Sequence, residues 1–332
     1  METVIRKHSE TDERYGSYPE KRPTAMILNY GVIVINKPKG PTSHQVSAYV
    51  QQILGISKSG HSGTLDPHVT GVLPVALDKA TRIVQTLLPA GKEYVCLMHV
   101  HDDVEEQVLR AAIASFIGQI TQLPPVKSAV KREERQRSIY YLEVLEIDGR
   151  EVLFRVGCQA GTYIRKLCHD IGQKLGVGAH MAELVRTKAG PFDESSMVSL
   201  DDLRDAFFYY KEWHKDKWLR SIIKPVEDTI NMMQKVWITD STVEPVCHGT
   251  DLNLPGISKF TDGIKENEQV AIVTLKGELV ALGIARLSSK DMLKDKGVAV
   301  KIHKVFMEPG TYPKVMNQGK DNLSAGFLPQ TH

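Results

Sequence analysis

The stretch GHSGTLDPHVTGVLPV, residues 60–75, holds a single acid, Asp66, between Leu65 and Pro67. Glycines at 60, 63 and 71 permit backbone conformations that a β-carbon would hinder, and Pro67 sets the direction in which the chain leaves. A carboxylate built in this way either caps a turn or is held out by a rigid support to do chemistry. HVHDD, residues 99–103, is a second group of interest: two histidines fall on one face of a strand and carboxylates follow. Such a pair can chelate zinc, which makes a metal hydrolase one alternative, but no further His/Asp cluster stands at ligand spacing. Cys168-His169-Asp170 has the residue types of a thiol enzyme, yet Cys168 falls on the apolar face of its helix and is expected in the core. KSAVKREERQR, residues 127–137, is a basic run broken by Glu133 and Glu134. Alone it is a solvated loop; beside a site for RNA it becomes an arm that meets phosphates.

The rest of the chain must position these groups. Its 332 residues are enough for more than one domain, and a 42% hydrophobic content is ordinary for a soluble protein. A formal net charge of +2 does not by itself announce a nucleic-acid binder. No apolar run reaches the roughly 20 residues that span a bilayer. The charged start METVIRKHSETDERYGSYPEKRP lacks the apolar core of a signal peptide, so an intracellular protein is expected. Cys96, Cys158, Cys168 and Cys247 are scattered, with neither a zinc ribbon nor a disulfide framework among them. Neither a P-loop nor a dinucleotide fingerprint is present, so no cofactor is expected.

Residues 1–30 read as an N-terminal extension. GVIVIN (31–36) reads as a buried strand, and TSHQVSAYVQQILG as a helix opened by a Thr42/Gln45 capping box and stopped at Gly55. The run Val72–Leu77 and the segments 92–101 and 151–159 read as strands. EEQVLRAAIASFIG (105–118) reads as an amphipathic helix ending in glycine. GTYIR leads into a helix with Ile164, Leu167, Cys168, Ile171 and Leu175 on one face. Without regular βαβ alternation the fold class is α+β with a mixed sheet. From about residue 231 short strands take over, with a hairpin turn at Lys276-Gly277, which implies a mostly β second domain over 231–310 and a tail over 311–332.

NKPKGPTSH, GHSGTLDPHVTGVLPVALDKATR, AGKEYVCLMHVH and AGTYIRKL stand in the order and spacing of the TruB family of pseudouridine synthases. With SAVKR, SIYY and GVGAHMAEL, the chain resembles the archaeal and eukaryotic guide-dependent, dyskerin-like branch, and residues 231–310 resemble a PUA domain, a small RNA-binding β-barrel. The resemblance implies a catalytic domain over 31–230, with the N-terminal extension packing on the PUA domain. It implies that Asp66 is the nucleophile. Arg165 would be its ion-pair partner, keeping an enclosed carboxylate charged. Tyr94 would stack on the target base and help in proton transfer. Lys37, His61 and Leu184 would line the substrate pocket, and Lys127, Lys131, Arg132, Arg135 and Arg137 would form a thumb loop over RNA. Glu133, Glu134, Leu123 and Val185 depart from the family pattern and imply a weaker thumb.

The implied reaction is uridine to pseudouridine in rRNA, and in tRNA as well, directed by a box H/ACA guide RNA. The nearer alternative is a stand-alone synthase for the tRNA T-loop. A non-catalytic RNA-binding scaffold is the rival from another class, and the intact Asp66, Tyr94 and Arg165 argue against it. Implied partners are guide and substrate RNA, a small zinc-ribbon-type protein, a small β-barrel protein and a kink-turn-binding protein, with no membrane. Long lysine-rich tails are missing, which favours a cytoplasmic archaeal protein over a nucleolar eukaryotic one.

Overall fold

Apolar runs such as GVIVI and VLPVAL can only be strands covered on both faces, and that is how the larger unit is built. The computed structural model describes residues 2–123 and 133–313. It is α+β and divides into two compact units, Arg22–Met232, and Met1–Lys21 with Met233–His332. Residues 22–30 thus belong with the larger unit, where Thr24–Tyr30 forms a short helix. Lys127, Lys131 and Arg132 of the expected thumb, and the expected tail from residue 314, lie outside the described residues.

The larger unit has an 11-stranded sheet. Its main path runs Met197–Val198, Gly31–Lys37, Thr70–Leu77, Ala179–Ala189, Lys92–Val100, Glu151–Cys158, Arg135–Asp148 and Gly118–Gln122. The pairing of Thr70–Leu77 with Ala179–Ala189 is parallel, whereas Lys92–Val100 pairs antiparallel on both sides, so the sheet is mixed. At one end the helix Ser43–Leu54 lays Val46, Val50 and Leu54 over Ile33, Ile35, Leu73 and Val75. At the other, Ile164–Leu175 and Glu106–Ala114 cover Cys96, Met98, Val152, Phe154 and Val156.

Thr42 accepts the Gln45 backbone N–H while Gln45 reaches back to Thr42, and Gly55 ends the helix in the left-handed region at φ +62°. The helix expected over 105–118 is shorter. Ile117 N–H turns back to Ala114 O, the chain tightens, and Gly118 at φ +104° opens a strand. Arg135 and Arg137, expected in a loop, stand in the 14-residue strand Arg135–Asp148, paired with Gln122 and Ile120.

The smaller unit is a seven-stranded sheet around Val236, Phe260, Ile272, Val280 and Val300. Its Gln269–Val273 and Leu279–Ala285 strands form the expected hairpin, with Gly277 at φ +87° in the turn. The strand Thr3–Ile5 pairs antiparallel with Ile257–Thr261.

Candidate active site

Asp66 lies in a loop that the rest of the unit grips from three sides. Val69 N–H donates to Asp66 O, closing a turn with Pro67 at its second position, where a fixed φ suits it. Lys37, wholly buried, donates through Nζ to Pro38 O, Pro67 O and Val69 O at 2.9, 3.2 and 2.8 Å. Burial pushes its ammonium pKa down, and the charge of Asp66 opposes that. Ser43, at the first turn of its helix, accepts Leu65 N–H at 2.8 Å and donates back to Leu65 O at 3.1 Å. Leu65 and Val69 are buried on either side of Asp66.

The carboxylate itself is 53% exposed and pairs with the Arg165 guanidinium, 58% exposed. The expectation of an enclosed acid is therefore corrected: Asp66 is held out to solvent by buried neighbours, and Arg165 aims it. Arg165 is the second residue of the helix Ile164–Leu175. The start of that helix is clamped by buried Gln122, whose Oε1 accepts Tyr163 N–H at 3.0 Å and whose Nε2 donates to Tyr163 O at 3.1 Å. A pair 99 residues apart in sequence is brought together by these two braces.

Tyr94 is partly buried on the central strand, opposite Val156 on one side and Arg186 on the other. Burial raises its phenol pKa, and Asp66 is near enough to act on it. The hydroxyl therefore stays protonated at neutral pH. His61 ends the strand Ser59–His61, half-buried, with an Nδ1 that is buried and has no hydrogen-bond partner. Burial, then the charges of His44 and Arg186, lower its pKa, so it is neutral at pH 7. Leu184 is buried opposite Cys96, within the core that also contacts Tyr94.

Two residues at this site were not singled out from sequence. Arg186, only 1% exposed, donates to Val72 O at 2.7 Å and Gly63 O at 3.2 Å, and stands directly across from Tyr94 on the neighbouring strand, where its charge acts on the phenol. Lys92 is buried and donates to Leu87 O, Leu88 O and Ala90 O. The available signal in the case of Arg186 was a cation two residues beyond Leu184, on the same inward face of its strand.

Elsewhere, His99 pairs with Glu151 at 2.6 Å and His101 with His180 at 2.9 Å. Among the described residues no group of three His, Cys, Asp or Glu is arranged to hold a metal ion. Cys168 is buried with its Sγ 3.6 Å from that of Cys96, a core position as its helix face implied.

The chain matches the TruB family pseudouridylate synthase (N terminal domain) over residues 51–164 and the tRNA pseudouridylate synthase B C-terminal domain over 165–231. A PUA domain matches over 234–306 and the DKCLD (NUC011) domain over 1–47. It is 55% identical over 314 residues to a probable tRNA pseudouridine synthase B of Methanopyrus kandleri, covering 94% of this chain and 93% of that one. A probable tRNA pseudouridine synthase B of Pyrococcus furiosus is 55% identical over 311 residues, covering 93% and 92%. Among solved structures, a chain of a Cbf5-Nop10-Gar1 complex superposes with a TM-score of 0.90 at 55% identity, covering 95% of this chain and 96% of that one. A chain of an H/ACA RNP bound to a substrate RNA containing 2′-deoxyuridine superposes with a TM-score of 0.89 at 52% identity, covering 95% and 97%.

Proposed function

Since the chain belongs to the TruB family of pseudouridylate synthases and is an RNA-acting isomerase, we propose that its reaction takes place at Asp66 and is directed by a box H/ACA guide RNA. The target uridine flips out of the RNA at a cost of a few kcal/mol. Tyr94 offers its ring to the base, returning roughly 1–3 kcal/mol. Asp66, aimed by Arg165, meets the sugar–base unit; the bond to N1 breaks, the base turns, C5 joins the sugar as its proton leaves, and N1 takes up a proton. Three routes (attack on the sugar, attack on the base, elimination to a glycal) each need one carboxylate, and this loop presents one.

The observation that carries the guided reading is the match of both units, along nearly the whole chain, to a protein solved in an H/ACA particle with substrate RNA. Partners of this chain are then counterparts of Nop10 and Gar1, the small zinc-ribbon-type and β-barrel proteins, together with a kink-turn-binding protein and guide RNA. The names of the curated relatives favour a second reading, a tRNA synthase that acts on its own. No helix among the described residues is long and apolar enough to cross a membrane. With archaeal relatives, the proposed setting is an archaeal cytoplasm.

One assay separates the two readings. The protein and its partners are supplied with a matched guide, a scrambled guide or none, and with a target strand or a tRNA transcript. Modification of the target with the matched guide alone is expected. Equal modification of the target in all three tubes would return the protein to the stand-alone class.

A further inference from the structure

Arg186 and Lys92 are an unusual expense for a core. Both are buried, and among the described residues neither forms an ion pair with a carboxylate. Backbone carbonyls take their N–H groups instead. Burying a charge without a counter-ion costs several kcal/mol, and an apolar side chain would fill the space without that cost. The two cations also face each other's repulsion, since each lowers the proton affinity of its surroundings and Arg186 acts on Lys92, Lys37 and His61 alike. They converge on the active loop. A Cβ placed on Gly63, three residues before Asp66, would lie 3.3 Å from Arg186 Nη1 and 3.6 Å from Lys92 Cε. Arg186 further stands across from Tyr94 on the neighbouring strand and donates to Val72 O in the strand that follows the loop.

We propose that Arg186, backed by Lys92, is a positioning residue of the base pocket: it holds the Tyr94 phenol and keeps a fixed positive charge behind it, where the departing uracil becomes negative. The inference rests on the reading of Asp66 and Tyr94 given above. When the bond from C1′ to N1 breaks, its electron pair goes to the base and spreads over N1 and the carbonyl oxygens. C1′ is taken by an Asp66 carboxylate oxygen, whose bond to C1′ breaks again when C5 attacks, or is relieved by loss of the 2′ proton, which returns to C2′ as C5 joins C1′. The C5 proton then leaves and N1 takes up a proton, so that none is gained or lost overall. No oxidant or reductant enters. A preorganised charge in a dry site favours such a charged state without having to reorganise during the reaction. Tyr94 is the contact surface through which that field reaches the base.

The test compares guide-directed single-turnover rates of C1′–N1 bond cleavage, read as disappearance of the parent nucleoside, on RNA carrying uridine or 5-fluorouridine at the target position. With fluorine at C5 there is no C5 proton to leave, so the cleavage step alone is compared. Fluorine withdraws electrons, so the departing base carries its negative charge with less help. Arg186→Met should slow the uridine substrate roughly 100-fold and the 5-fluorouridine substrate about tenfold less than that. Arg186→Lys, which keeps the charge, should recover most of the uridine rate, and Lys92→Met should show the same unequal slowing as Arg186→Met. If Arg186→Met fails to melt cooperatively, Lys92→Met and Arg186→Lys decide. Equal slowing on both RNAs, with Asp66→Asn inactive, overturns the inference alone. Turnover by Asp66→Asn overturns the underlying reading, and the inference with it.

Discussion

Asp66 is open to water at the tip of a turn anchored by buried Leu65 and Val69, so the exposure is imposed by the loop rather than by its own polarity. An exposed ion pair contributes little to stability. Asp66→Asn and Arg165→Ala should therefore leave the melting temperature nearly unchanged. The effect belongs to the reaction. Asp66→Asn should bind RNA and form no pseudouridine, and Arg165→Ala, which frees the direction of the carboxylate, should slow single turnover by roughly 100-fold or more. Measuring RNA affinity and rate on the same preparations checks both; a rate near wild type in either variant would remove that residue from the reaction. At this scale the sequence was most informative where a motif was long. The run around Asp66 drew notice through its glycine and proline spacing, and its likeness to the TruB motif made that acid the candidate nucleophile. Arg186 and Lys92 stayed hidden, because what distinguishes them is that, among the described residues, neither pairs with an acid in three dimensions.

The loop and the helices around it were read with uneven success, for reasons that lie in how local each signal is. The helix Ser43–Leu54 carries its own start and stop, so capping box and glycine could be read directly. The strand Arg135–Asp148 could not, since its first residues are the basic end of the 127–137 run and its length comes from pairing with Glu151–Cys158. The helix Asp240–Cys247 in the smaller unit contains Pro245 and offered no periodic stripe. Ser43 shows how an element transmits its position to the site. Its hydroxyl holds both backbone groups of Leu65, so Ser43→Ala strands a buried N–H at a cost of roughly 1–3 kcal/mol. Denaturant midpoints should fall accordingly, and turnover should drop more than RNA binding because the adjacent Asp66 loses its support. A variant with wild-type stability would show that the contact is not the brace described.

For the molecule as a whole, pH should act through Lys92. Burial holds its ammonium at about 8, against 10.5 for the ordinary group. Between those values the folded protein has released a proton that the unfolded chain still binds, so stability from this group rises with pH, by roughly 3 kcal/mol at most. Tyr141, raised to about 12 chiefly by burial and then by Glu93, works in the opposite sense. Its contribution is intact below pH 10 and is lost above. The thiols of Cys158 and Cys247, pushed by burial up to about 11 and about 12 from 9.0, act in that same sense from about pH 9, which leaves pH 7.5 to 9 as the clean window. Across it the wild type should gain in urea resistance relative to Lys92→Met; a constant difference between the two would contradict the assignment. The pairing of Thr3–Ile5 with Ile257–Thr261 has a consequence for synthesis. Thr3–Ile5 leaves the ribosome more than two hundred residues before the strand it joins, with the whole of the larger unit encoded between. That unit can complete its own core while the leading segment waits outside any sheet. The smaller unit thus becomes whole only after the larger one, encoded between its two segments, has been made.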